Sequence, residues 1–82
     1  MILNMKLNSL EELYELQRLA SQADRPVFVG NEDDTIRADA RSFLGLMTLD
    51  YTHPVRVITD SLYVIRQLEH HLRCQAAAVV SA

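Results

Sequence analysis

Apolar and polar positions alternate at the start of the chain, where Leu3, Met5 and Leu7 are separated by Asn4 and Lys6. A period of two predicts a strand over Ile2–Leu7 with one buried face. The period then changes. Leu10, Leu13, Leu16 or Gln17, Ala20 and Ala23 recur every three to four residues, the spacing of an amphipathic helix. Ser9-Leu10-Glu11-Glu12 opens that helix as a capping box: the Ser9 hydroxyl accepts from the Glu12 N–H while the Glu12 side chain reaches back. Asp24-Arg25-Pro26 ends it, because proline cannot continue the ladder and disfavours helix in the residue before it.

Pro26–Val29 reads as a second strand, followed by the polar turn Gly30–Asp34. Strict alternation over Thr35–Ala40 predicts a third strand, hairpin-paired with the second. Ser42 caps a short helix, Phe43–Leu49, which is apolar on almost every side. After a loop, Asp50–Pro54, a fourth strand runs over Val55–Thr59. Asp60 or Ser61 caps a last helix with Leu62, Ile65, Leu68 or Glu69, and Leu72 on one face, reaching Arg73 or beyond. The segment 74–82 either extends this helix or frays.

The order βαββαβα predicts one α/β (α+β) domain over residues 1–82, an open-faced sandwich with a four-stranded, mostly antiparallel sheet and three helices on one face. The expected core is Leu3, Met5, Leu7, Leu13, Ala20, Val27, Val29, Ile36, Ala38, Leu46, Met47, Leu49, Val55, Val57, Ile65, Leu68 and Leu72.

Composition narrows the function classes. The chain has 82 residues, 49% of them hydrophobic, so it buries one thin core and is not a disordered segment. Eight Lys/Arg against eleven Asp/Glu give a net charge of −3, and the basic residues form no run. That leaves no electrostatic footprint for nucleic acid. The longest apolar stretch, Ala76–Val80, is far short of the ~18 residues of a membrane span. A single cysteine, Cys74, precludes an internal disulfide, and no signal-peptide pattern opens the sequence. A cytoplasmic location is expected.

The stretch Arg41-Ser42-Phe43-Leu44-Gly45-Leu46-Met47-Thr48-Leu49, in this element order, resembles the histidine-containing phosphocarrier protein (HPr) of the bacterial sugar phosphotransferase system. That family has Lys-Ser, then apolar-apolar-Gly-apolar-Met-Ser-Leu, at this place. The resemblance implies the HPr-like fold and a middle helix that helps form a docking surface for partner proteins. It also implies a regulatory serine at Ser42. The family's phosphoryl-accepting motif, Gly-x-His-x-Arg-Pro-Ala, falls on Leu7-Asn8-Ser9-Leu10-Glu11-Glu12, which holds no His, Arg or Pro. A helix N-terminus favours an anion, but Glu11 and Glu12 already place two negative charges there and would repel a phosphoryl group.

The expectation is therefore a non-catalytic protein-interaction or regulatory domain. Its partner would dock on Phe43, Leu44, Leu46 and Met47, and it would be modified at Ser42 if anywhere. The alternative is a phosphocarrier that uses an atypical His, namely His53, His70 or His71. A homodimer packed through Ala76–Val80 is a third possibility.

No cofactor, metal or catalytic constellation is expected. His70 and Cys74 are four apart on one helix, but a structural zinc site needs further ligands. Glu32-Asp33-Asp34 lacks calcium-loop spacing, and Gly30 and Gly45 are isolated rather than part of a phosphate loop.

Overall fold

The computed structural model describes the backbone of residues 1–81 and the side chains of residues 1–72. Four strands form: β1 (Ile2–Met5), β2 (Val27–Gly30), β3 (Arg37–Asp39) and β4 (Val55–Thr59). Three helices accompany them: α1 (Leu10–Gln22), α2 (Phe43–Leu46) and α3 (Leu62–Ser81). The sheet order is β1-β4-β2-β3, and every pairing is antiparallel. β1 and β2 are thus parallel to each other with β4 between them, while β3 and β4 are parallel with β2 between them. Two split βαβ units interlock around a β2–β3 hairpin.

Cross-strand register explains why one face is buried. Leu3, Val57, Val29 and Ala38 lie opposite one another across all four strands, flanked by Met5–Val55 and by Val27–Thr59. These residues join Leu13, Leu16, Leu19 and Ala20 of α1, Leu46 of α2, and Val64 and Leu68 of α3 in one core. All three helices therefore cover the same side of the sheet. The opposite face carries Ile2, Asn4, Phe28, Arg56 and Ile58 and is open.

Both predicted serine caps on the first two helices form. Ser9 Oγ accepts from Glu12 N at 3.2 Å, and Glu12 Oε1 reaches back to the Asn8 N–H at 3.3 Å. Ser42 Oγ accepts from Gly45 N at 3.2 Å. For α3 the cap is Ser61, which accepts from Val64 N at 3.3 Å. Asp60 instead pairs with the Met1 amine at 3.6 Å.

Several expectations are corrected. Ile36 is 47% exposed, not core. Asn31 holds the preceding turn, accepting from Ile36 N at 2.9 Å with its side chain and donating its own N–H to Ile36 O at 3.1 Å. Asp34 takes a left-handed φ of 60° in that turn, and pairing starts only at Arg37. Met47, also expected in the core, is 53% exposed. It is the residue that caps α2, which stops three residues before the expected Leu49.

The last turn tightens to Thr48 N→Gly45 O and Leu49 N→Leu46 O bonds, so Leu49 still reaches the core. Leu10 and Leu62 lie off their helices' buried stripes. In α3 that stripe starts at Ser61 and runs through Val64, Ile65 and Leu68, about 100° round from Leu62. Leu16, Leu19, Ala40 and Val64 complete the core.

Candidate functional site

The N-terminal half of α1 and the short α2 lie side by side and leave an apolar surface uncovered. Tyr14 of α1 stacks on Phe43 of α2, with centroids 4.5 Å apart and planes 3° from parallel. Leu10 and Tyr14 are one turn apart and both about half exposed. Leu44 is 83% exposed, and Met47 joins Leu10 along a shallow cleft that also touches Leu13, Tyr51 and Thr52.

Of the four residues expected to meet a partner, Phe43, Leu44 and Met47 have accessible surface here. Leu46 does not: it is 0% exposed, because it points from the same helix turn into the core. Leu10 and Tyr14 belong to the surface and were not anticipated. Their i, i+4 spacing, off the Leu13–Leu16–Ala20 stripe, was the available signal.

Polar groups brace this surface. Gln17 Nε2 donates to Arg41 O at 3.3 Å, tying α1 to the start of α2. Lys6 Nζ donates to Tyr51 O at 2.6 Å, and the Tyr51 hydroxyl donates to Leu46 O. Burial pushes the Tyr51 phenol up to about 12. Ser42 is exposed at the edge of the apolar residues. Arg41 beside it is engaged by Asp39, through Nη2–Oδ2 at 3.0 Å and a backbone N–H to Oδ1 at 2.9 Å. Hydrogen bonding to the Arg41 side chain, then to its backbone N–H, holds the Asp39 carboxyl below its usual range. A Cβ at Gly45 would lie 3.3 Å from Ser42 Oγ, tight against the α2 cap, and at an ordinary 3.5 Å from Ala38 Cβ of β3.

The first turn of α1 carries Glu11 and Glu12 where the phosphoryl-accepting motif would fall. The fold brings one histidine to it, since His71 Nε2 lies 3.2 Å from Glu12 Oε2. His70 is exposed on α3, and His53 lines a shallow depression with Asn31, Glu32, Asp33 and Asp50. Among the described residues, no group of three or more His, Cys, Asp or Glu is placed to hold a metal ion.

The Cys74 side chain, and with it the His70–Cys74 pair, lies outside the described side chains, as do the side chains of the Ala76–Val80 segment. The turn carboxylates are used locally: Asp33 Oδ1 accepts from Thr35, and Asp34 pairs with Arg37. No helix among the described residues is long and apolar enough to cross a membrane.

In comparisons with known proteins, the chain matches no family model, no curated protein and no solved structure. The fold and this surface define a small α+β domain with an open antiparallel sheet and an apolar helical face.

Proposed function

We propose that this chain is a non-catalytic protein-interaction or regulatory domain of HPr-like architecture, docking a protein partner in the cytoplasm through the α1–α2 surface. The observation that carries this reading is the exposed set Leu10, Tyr14, Leu44 and Met47. Apolar side chains exposed together in this way on a small domain are a common mark of a binding face. The order βαββαβα and the sheet with helices on one side agree with the resemblance in the Arg41–Leu49 stretch. Ser42 is accessible at the edge of this surface, so a phosphate there would add roughly two negative charges beside it without entering the core.

A second reading, a phosphocarrier with an atypical His, is favoured by one contact, that of His71 with the first turn of α1. Against it stands the acidic pair Glu11 and Glu12 at the same helix end.

One experiment separates the two. The full chain is incubated with phosphoenolpyruvate and the general phosphotransferase enzyme, then measured by intact mass and by amide chemical shifts. The expected result is no acid-labile mass gain, with shifts at Leu10, Tyr14, Leu44 and Met47. An acid-labile phosphoryl group on His53, His70 or His71 would establish the carrier instead.

A further inference from the structure

The sheet's uncovered face has its own pattern, on the side of the molecule opposite the α1–α2 surface. Pairing places Ile2, Ile58 and Phe28 opposite one another across β1, β4 and β2, forming an apolar row. Phe28 and Ile58 are only half-buried, and Ile2 is exposed. A shallow groove runs over Phe28 and Ile58 and is bounded by Arg25, Pro26, Arg37, Thr59 and Asp60, the Asp60 carboxylate being held by the Met1 amine.

Charges around this row divide into paired and unpaired groups. Arg37 pairs with Asp34, Arg41 with Asp39, and Asp60 with the Met1 amine. Arg25 and Arg56 have no ion-pair partner among the described residues. Arg25 stands at the Pro26 end of the groove. Arg56 is the outward residue next to Ile58 along β4, past the groove and in the neighbouring cleft. Glu32 shares a second shallow cleft with Arg56, Asn4 and Pro54 but forms no ion pair, and it is the one unpaired carboxylate there. The apolar row is therefore flanked by two unpaired guanidinium groups, Arg25 and Arg56, while Asp39, opposite Phe28, and Asp60 are already ion-paired.

We infer that this open face is a second docking surface, for an acidic protein segment that presents apolar side chains between its carboxylates. Leu or Phe side chains of the segment lie on Phe28 and Ile58. Its carboxylates meet Arg25 and Arg56, whose planar guanidinium groups suit carboxylate in two-point contacts. Two separated guanidinium groups, rather than a basic run that could track a phosphate backbone, disfavour a nucleic acid as the occupant. The two faces are independent, so failure of one leaves the other standing.

The test titrates the isotope-labelled full chain with the capped peptide Glu-Glu-Leu-Phe-Glu-Glu, with its glutamine counterpart Gln-Gln-Leu-Phe-Gln-Gln, and with a uridine oligonucleotide. Amide shifts from the acidic peptide should centre on Phe28, Arg56 and Ile58 and spare Leu44 and Met47. Affinity should fall several-fold with the glutamine peptide and with added salt. The R25E/R56E variant should lose the acidic peptide and take up Lys-Lys-Leu-Phe-Lys-Lys instead, with its other amide positions unchanged as a control for folding. Ile2→Glu, at the exposed edge of the row, should weaken binding without disturbing the core. Equal affinity for the glutamine peptide, shifts confined to α1 and α2, preferential binding of the oligonucleotide, or self-association through this face would each overturn the proposal.

Discussion

The rings of Tyr14 and Phe43 stack with centroids 4.5 Å apart, and this aromatic pair joins the exposed side of α1 to α2. Tyr14 is half exposed and lies outside the core cluster, while Phe43 is packed partly against it. Stacked aromatic pairs add about 0.5–1.5 kcal/mol beyond area burial. A double-mutant cycle with Tyr14→Ala and Phe43→Ala in urea denaturation should return a coupling energy of that order. Additive single losses would show that the two helices are held together by the core and by the Gln17–Arg41 bond alone.

The capping box at the start of α1 satisfies two backbone N–H groups, those of Glu12 and Asn8. Ser9→Ala should cost about 1 kcal/mol, the usual loss for an N-cap serine. In a domain of this size that corresponds to a fall of roughly 4–8 °C in Tm, readable by circular dichroism. An unchanged Tm would place the helix start elsewhere.

Ser61 should be the more sensitive cap. It is fully buried, accepts from Val64 N, and donates to Asp24 Oδ1 at 2.8 Å. The hydroxyl thus links the end of α1 to the start of α3 and satisfies a buried N–H. Ser61→Ala leaves that N–H unpaired, a loss of about 1–3 kcal/mol. Chemical denaturation should show a larger shift in midpoint than Ser9→Ala produces.

Stability should decline at both ends of the pH range. Asp39 and Asp50 are held below their ordinary range, chiefly by hydrogen bonds from Arg41 and Thr52 respectively, and Glu15 chiefly by Arg18. A depressed carboxyl stabilises the fold above its unfolded value, and that contribution is lost as pH falls through the folded value. The urea midpoint should therefore drop below about pH 4, and Asp39→Asn should flatten part of the slope.

Tyr51 has the opposite sign of shift. Its contribution is complete below about pH 10 and is lost as pH rises towards about 12. Ultraviolet titration should show one of the three tyrosines ionising late, and Tyr51→Phe should remove that late step.

What the sequence determined by itself was local. The alternation of Leu3, Met5 and Leu7, the Ser9–Glu12 box and the Ser42 cap were legible because each depends on backbone period and neighbouring hydrogen bonds. The β2–β3 hairpin was legible for the same reason, although Asn31 bonding shortened its second strand.

Only the tertiary structure decided which apolar residues would be left outside. Met47 and Leu46 are adjacent and equally apolar, yet one is half exposed and the other fully buried, because α2 stops between them and Leu46 alone faces β3 and the core. Tyr14 and Phe43 are far apart in sequence, as are Glu12 and His71, and no periodicity relates them. Their meeting follows from helix packing on a sheet whose order, β1-β4-β2-β3, is set by the mutual burial of Leu3, Val57, Val29 and Ala38. Burial is a property of the whole assembly of layers, so the composition of each exposed face appears only when those layers close.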